Sequence, residues 1–402
     1  VNSSILSDRI LNLTESATLE MTRLSRELQG QGIDIINLSI GEPDFNTPDF
    51  VKQGAIEAIH NNITKYPPVP GLAPVREAIS KKLKRDNQLE YKPSQIVVSN
   101  GAKQSLANVF FCLLNPGDEI VVPAPYWVSY TEMIKLAGGD IKLIEAGIEA
   151  DFKVTPEQIA AAITPRTKAL LINSPSNPTG SVYSFAEMKA IAEVIAKHPD
   201  LVVISDEIYE HILFEGSHVS LASFPEIKSQ VVIINGVSKG FSMTGWRIGY
   251  LAAPQFIADA CTKLQGQFTS GAGSISQMAA AAAVSADPNQ IPELKIMVAA
   301  FKERRDLLVR MMQEIEGVKT NLPKGAFYLF PDVSSFFGKS DGNTLVNDST
   351  QLCTYLLEKA HVALVPGEAF GDPNCIRLSY ATSKELLVEA VNRIKTALAL
   401  LK

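Results

Sequence analysis

Between residues 96 and 235 short β-rich runs alternate with helical stretches, and this alternation constrains the fold more than any other feature. The runs occupy residues 96–99, 119–123, 169–173, 201–205 and 231–235. Such alternation predicts a largely parallel sheet covered by helices, an α/β architecture. Polar clusters follow several runs: Asn100-Gly101, Asn173 onward, Asp206-Glu207, and Ser238-Lys239. In open α/β sheets ligands bind beyond the carboxyl ends of the strands, so these clusters are expected to converge.

The chain ends read differently. Leu13, Ala17, Met21, Leu24 and Leu28 recur at three- and four-residue steps, one face of an amphipathic helix. Residues 33–40 read as a strand closed by the turn-forming Gly41-Glu42-Pro43-Asp44. Beyond Pro292 a long helical pattern marked by Leu294, Met297, Phe301, Leu308 and Ile315 precedes Gly325-Ala326-Phe327-Tyr328 and a loop rich in Ser, Gly and Asp. Thr382 and Glu385 stand at capping-box spacing before a last apolar stripe, Leu387, Val391, Ile394, Leu398 and Leu401. The expected organisation is an N-terminal arm and helix over residues 1–47, a large domain over 48–291, and a smaller C-terminal domain over 292–402 that the N-terminal part joins.

With 402 residues, 46% hydrophobic and 20% charged, the chain has material for two or three domains and none of the polar excess of disorder. Its 37 Lys and Arg against 43 Asp and Glu give a net charge of −6, which argues against nucleic acid or an anionic membrane surface as the partner. The most apolar stretches, residues 109–114 and 279–283, fall far short of the ~20 residues that span a bilayer. Asp8, Arg9 and Glu15 interrupt any secretory pattern, and four scattered cysteines show no metal or disulfide spacing. The expectation is a soluble, cytoplasmic protein acting on small molecules.

One segment concentrates chemistry: Ser238-Lys239-Gly240-Phe241-Ser242-Met243-Thr244-Gly245-Trp246-Arg247-Ile248-Gly249. Its small residues let backbone approach a ligand and place Arg247 beside Lys239. A lysine that forms a Schiff base must be neutral when it attacks a carbonyl, and nearby cations with partial desolvation favour that state. Alone, such a lysine reads as solvated. Together with Asn173-Ser174-Pro175-Ser176-Asn177-Pro178-Thr179-Gly180, Asp206-Glu207-Ile208-Tyr209 and Arg377-Leu378-Ser379-Tyr380, it closely resembles the class I, fold type I, pyridoxal-phosphate aminotransferases. The resemblance runs from Gly41-Glu42-Pro43 to Arg377. It is nearest to the bacterial aspartate aminotransferases carrying Pro125-Tyr126-Trp127-Val128-Ser129-Tyr130 and Met243-Thr244-Gly245-Trp246-Arg247.

That resemblance implies pyridoxal 5'-phosphate as cofactor, held by Lys239 through a Schiff base, the freed amine later moving the proton. Asp206 matches the partner of the ring nitrogen, where a carboxylate favours the protonated, electron-withdrawing ring. Tyr209 and Asn177 match the contacts of the phenolic oxygen, and Asn177 also touches the substrate carboxylate. Trp127 matches the residue stacked on the ring. Gly101, Ala102 and Lys103 match the phosphate loop at a helix start, with Ser238 and Arg247 completing it. Tyr66 matches a tyrosine that reaches the phosphate from a neighbouring subunit, which implies a homodimer with shared sites. Arg377, beside the Gly41 backbone, matches the fork for the substrate α-carboxylate. Ser16, Ala17 and Thr18 occupy the segment facing the substrate side chain. Taken singly, Asp206 could be a helix cap, Tyr209 and Trp127 core packing, and Asn177 a turn residue.

The implied reaction is reversible transamination of L-aspartate and 2-oxoglutarate to oxaloacetate and L-glutamate, with amino and 2-oxo acids as partners and no metal. Motifs shared across the fold leave open an aromatic or prephenate aminotransferase, a carbon–sulfur lyase, or a regulator that senses ligand through such a domain.

Overall fold

The computed structural model describes residues 5–402. Its main sheet contains β1 (Ile96–Asn100), β2 (Glu119–Ala124), β3 (Asp140–Glu145), β4 (Thr167–Asn173), β5 (Val202–Asp206), β6 (Val231–Gly236) and β7 (Ile248–Ala252). Their order in space is β1-β7-β6-β5-β4-β2-β3. Neighbours are parallel except at β7, which runs antiparallel to both β1 and β6. The five expected runs are all strands. β3 escapes a sequence reading because it is an edge strand with mostly exposed or half-buried positions. β7 is hidden in the tail of the Lys239 segment, where Gly249 interrupts its apolar run.

Period-two alternation gives the sheet two apolar faces. Val203, Val231 and Ile233 face one core with Val75, Ile79 and Leu83 of helix α2 (Ala73–Asn87). Ile204, Val232 and Ile234 face another with Leu106, Val109 and Phe110 of α3 (Ala102–Leu113) and Ile257 of α4 (Gln255–Phe268). β6 is buried at every position, which is why its sequence is a continuous apolar run rather than an alternating one. Each fully buried aliphatic side chain contributes about 1.5–3 kcal/mol of transfer free energy.

The two chain ends pack together. Helix α1 (Ala17–Gly30) buries Met21 against Ile35, Leu357 and Ala363; Leu13 precedes this helix. Of residues 33–40 only Ile36–Asn37 pairs as a strand, parallel to Val362–Ala363. The Leu38 amide still donates to the Ala363 carbonyl at 2.9 Å, and beyond it the backbone turns to other partners, the carbonyls of Ser39 and Gly41 accepting from Arg377 and Lys239. A three-stranded antiparallel sheet sets Ile376–Ser379 between Val365–Pro366 and Tyr328–Leu329. The long helix is Pro292–Gln313, and Ile315 is buried just past its end. The last helix, Lys384–Leu398, is capped by Ser383, whose Oγ accepts from the Leu386 amide at 3.2 Å; the expected Thr382 cap is one residue early. Among the described residues no helix is long and apolar enough to cross a membrane.

Candidate active site

The four polar clusters do converge. They form one side of a cavity of about 410 Å³ to which Lys103, Asn177, Asp206 and Lys239 contribute, while Gly41 and Arg377 contribute from the chain ends. Asn173, at the end of β4, couples two of these clusters. Its Nδ2 donates to the Asp206 carbonyl at 3.0 Å, and its Oδ1 accepts from the Asn177 amide at 2.9 Å.

Lys239 donates from Nζ to the Gly41 carbonyl at 2.6 Å. Burial pushes its ammonium down to about 8; Arg377 and Arg247 act the same way and Glu42 opposes them. The amine is therefore substantially neutral in mildly alkaline water while remaining tethered. The following residue must be glycine on steric grounds, because a Cβ on Gly240 would come within 2.8 Å of the His211 ring.

Asp206 closes β5 and is 3% exposed. Tyr130 donates its hydroxyl to Oδ2 at 2.5 Å, and the Ile208 amide donates to Oδ1 at 3.3 Å. Burial nevertheless pushes the carboxyl up to about 6, so a positively charged ligand group beside it would be strongly welcomed. Tyr209 lies one turn on, its hydroxyl 2.9 Å from that of Tyr328. Burial pushes both phenols up, which keeps them protonated and able to donate.

Across the cavity is a place for an anion. Gly101 has φ +82° and precedes the first turn of α3, whose free amides carry the positive end of the helix dipole. A Cβ on Gly101 would collide with the Arg247 guanidinium, and one on Gly249 with the Ala102 amide. The two glycines thus let Arg247 approach the helix start. Arg247 itself sits at φ +57° and is braced by donation to the Thr244 carbonyl at 3.0 Å. Ser238 and Lys103 join it in lining the cavity. Burial, then Arg247, holds Lys103 below the usual lysine range, and its Nζ lies 5.0 Å from the centre of the Trp127 ring. Trp127 in turn meets Tyr130 edge to face at 5.3 Å.

Arg377 is 2% exposed. Its Nη1 donates to Asn177 Oδ1 at 3.0 Å and its Nη2 to the Ser39 carbonyl at 2.6 Å, leaving Nε without a partner. The rings of Tyr328 and Phe370 lie against the guanidinium, their centres 4.6 and 4.8 Å from its carbon. A buried cation bonded only to neutral groups favours an incoming carboxylate, which alone can neutralise it.

The sequence profile of the family described as "Aminotransferase class I and II" matches residues 33–394. The chain belongs to this family. It is 49% identical over 399 residues to a bifunctional aspartate aminotransferase and glutamate/aspartate-prephenate aminotransferase of Petunia hybrida, covering 99% of this chain and 83% of the relative. It is 47% identical over 391 residues to an aspartate aminotransferase of Geobacillus stearothermophilus, covering 97% and 98%. The solved aspartate aminotransferase of Rhizobium meliloti superposes with a TM-score of 0.95 at 40% identity, over 99% of both chains.

In this aminotransferase most of the expected residues meet around one cavity, and Tyr66 does not. It is 98% exposed and does not line the cavity of its own chain. Of the N-terminal segment, Ser16 and Thr18 line the cavity whereas Ala17 packs into a neighbouring apolar cluster. Three participants carry no isolated sequence signal: Tyr130, Tyr328 and the Ser39 carbonyl. The two tyrosines lie inside recognisable segments, Pro125-Tyr126-Trp127-Val128-Ser129-Tyr130 and Gly325-Ala326-Phe327-Tyr328, but only the folded chain connects them to Asp206, Tyr209 and Arg377.

Proposed function

We propose that this aminotransferase uses pyridoxal 5'-phosphate to move the amino group reversibly between L-aspartate and 2-oxoglutarate, giving oxaloacetate and L-glutamate. The observation that carries the reading is a buried lysine of lowered basicity between an anion cradle and a buried guanidinium. The residues fit the cofactor on structural grounds. Gly101 and Gly249 let the Arg247 guanidinium close on the free amides at the start of α3, where Lys103 and Ser238 also line the cavity, and a phosphate suits that donor set.

In this reading the amides of Ala102 and Lys103, with Ser238 and Arg247, hold the phosphate, while the Gly101 amide is given to the Ser99 carbonyl at 2.8 Å and Gly101 serves by letting Arg247 come close. Trp127 faces the ring, Asp206 serves the ring nitrogen, and Tyr209 with Asn177 serves the phenolic oxygen. Bound there, the cofactor supplies a cationic aromatic system that accepts the electron pair left on the substrate α-carbon. Lys239 moves the α-proton, which its depressed basicity suits. Arg377 orients the substrate by its α-carboxylate. The preference for aspartate rests on the aspartate aminotransferases among the relatives and on cavity charge: Lys103 and Arg26 add positive side chains besides Arg377, a surplus that suits a second carboxylate. The name of the Petunia relative gives a second reading, in which prephenate also accepts the amino group.

We propose too that residues 48–291 form the large domain and residues 1–47 with 292–402 the smaller one. The near-total exposure of Tyr66, beside exposed Ile59 and Phe268 elsewhere on the chain, supports a two-fold homodimer in which Tyr66 reaches the neighbouring copy's phosphate. Four free cysteines suit a reducing, cytoplasmic setting.

Borohydride reduction of the cofactor-saturated enzyme followed by peptide mass analysis should find the pyridoxyl group on Lys239; its absence there would overturn the assignment. Single-turnover spectra with aspartate, phenylalanine, arogenate and cystathionine then rank donors. A decisive preference for a donor without a second carboxylate would replace aspartate.

A further inference from the structure

Helices α3 and α4 run side by side on one face of the sheet, and polar bonds join them at one-turn intervals. Gln104 Nε2 donates to Thr269 Oγ1 at 2.7 Å. One turn further along α3 and one turn back along α4, Asn108 Nδ2 donates to Gln265 Oε1 at 3.0 Å. The same step again, four residues forward from Asn108 and four back from Gln265, lands on Cys112 and Cys261. Both cysteines belong to the apolar cluster between the helices, Cys261 fully buried and Cys112 partly exposed. The first two contacts hold the helices antiparallel and in register, and the two cysteine side chains meet as the third pair.

We propose that Cys112 and Cys261 form a redox pair that reduces a hydroperoxide and closes a reversible disulfide between α3 and α4. The Cys112 sulfur attacks the peroxide, forming an S–O bond as the O–O bond breaks and hydroxide or alkoxide leaves. The Cys261 sulfur then attacks that sulfur, forming the S–S bond as the S–O bond breaks and water departs with the Cys261 proton. Two thiols lose two electrons and the peroxide gains them. The division of labour follows from the surroundings. Cys112 is the less buried residue of the two, and its contact with Cys261 holds it below the usual thiol range. Cys261 is pushed the other way by the same contact and by burial, as suits a proton-bearing resolving thiol. The other cysteines, Cys353 and Cys375, are each 1% exposed, and burial pushes both thiols up; they serve as internal controls.

The test is to expose the holoenzyme to dilute hydrogen peroxide, block remaining thiols with N-ethylmaleimide, and digest without reductant. The expected product is a single linked peptide pair joining Cys112 to Cys261, two hydrogens lighter than the reduced pair and released by dithiothreitol. In Cys261→Ser the reaction should stop at a Cys112 sulfenic acid that dimedone captures. In Cys112→Ser, Cys261 should stay unmodified. A wild-type protein that yields dimedone-labelled Cys112 without the linked pair would overturn the proposal. So would unchanged maleimide labelling of Cys112 after peroxide.

Discussion

Tyr130 donates its hydroxyl to Asp206 at 2.5 Å across 76 residues of sequence, both side chains being buried at the wall of the cavity. Burial drives the Asp206 carboxyl upward and this bond pulls it back, so the phenol helps to keep the carboxylate charged. A hydrogen bond to a charged group is worth about 1.5–3 kcal/mol. Tyr130→Phe should therefore weaken retention of pyridoxal phosphate by roughly tenfold or more. The loss should grow as pH falls from 8 toward 6, because the carboxyl then protonates earlier. Cofactor titrations across that range would reject the account if affinity were unchanged at every pH.

Lys239 makes cofactor-free stability depend on pH in a definite direction. Its ammonium is lowered from 10.5 to about 8 by burial, so between those values the unfolded chain binds more protons than the folded one. Stability contributed at this site must then rise as pH climbs from about 8 to 10.5, and the penalty is complete below 8. Denaturant melts of cofactor-free protein should show this upward slope relative to Lys239→Met, which lacks the group. Parallel pH curves for the two proteins would exclude the depressed lysine.

At Arg377 the geometry of the fork matters as much as the charge. Arg377→Lys keeps a cation but cannot hold Asn177 and Ser39 while offering a carboxylate two parallel donors. KM for the amino donor should rise by roughly 10- to 100-fold, the scale of one or two charge-assisted hydrogen bonds. Steady-state kinetics with aspartate measure it, and a KM near wild type would remove Arg377 from substrate recognition.

A buried ion pair braces the turn that follows Asp206. Lys82 of α2 is 2% exposed and pairs with Glu210, which also accepts from Asn87 and Asn235. Burial opposes its charge, yet Lys82 leads the neighbours that hold Glu210 well below the usual carboxylate range. Removing one partner leaves the other charged in the core, at a cost of about 3–5 kcal/mol. Lys82→Met should thus lower the melting temperature sharply, and adding Glu210→Leu should recover much of the loss. A double variant as unstable as the sum of the singles would show the pair to be uncoupled.

How much of this could be seen in the sequence depended on whether the signal was local. Val231-Val232-Ile233-Ile234 announces a doubly covered strand in four letters, and Asp206 is placed by the strand it ends. Edge strand β3 is half solvated and announces little. Residues 33–40 carry the apolar content of a strand, yet the backbone from Ser39 to Gly41 serves distant side chains, and its pairing with Arg377 and Lys239 is a tertiary fact that no local pattern encodes. Tyr130 and Tyr328 are similar cases: a buried phenol acquires meaning from the acceptor it meets. Tyr66 lies at the other limit, since its proposed role belongs to an assembly of two chains.

The bond from Arg377 to the Ser39 carbonyl spans 338 residues, and it has a bearing on biogenesis. A ribosome exposes the loop of Ser39 and Gly41 early, Lys239 midway, and the arginine only near the end of translation. All seven strands of the central sheet and Lys239 are therefore synthesised before the arginine that faces them. The two sides of the cavity are thus synthesised at separate moments, and its enclosure must wait for the last stretch of the polypeptide.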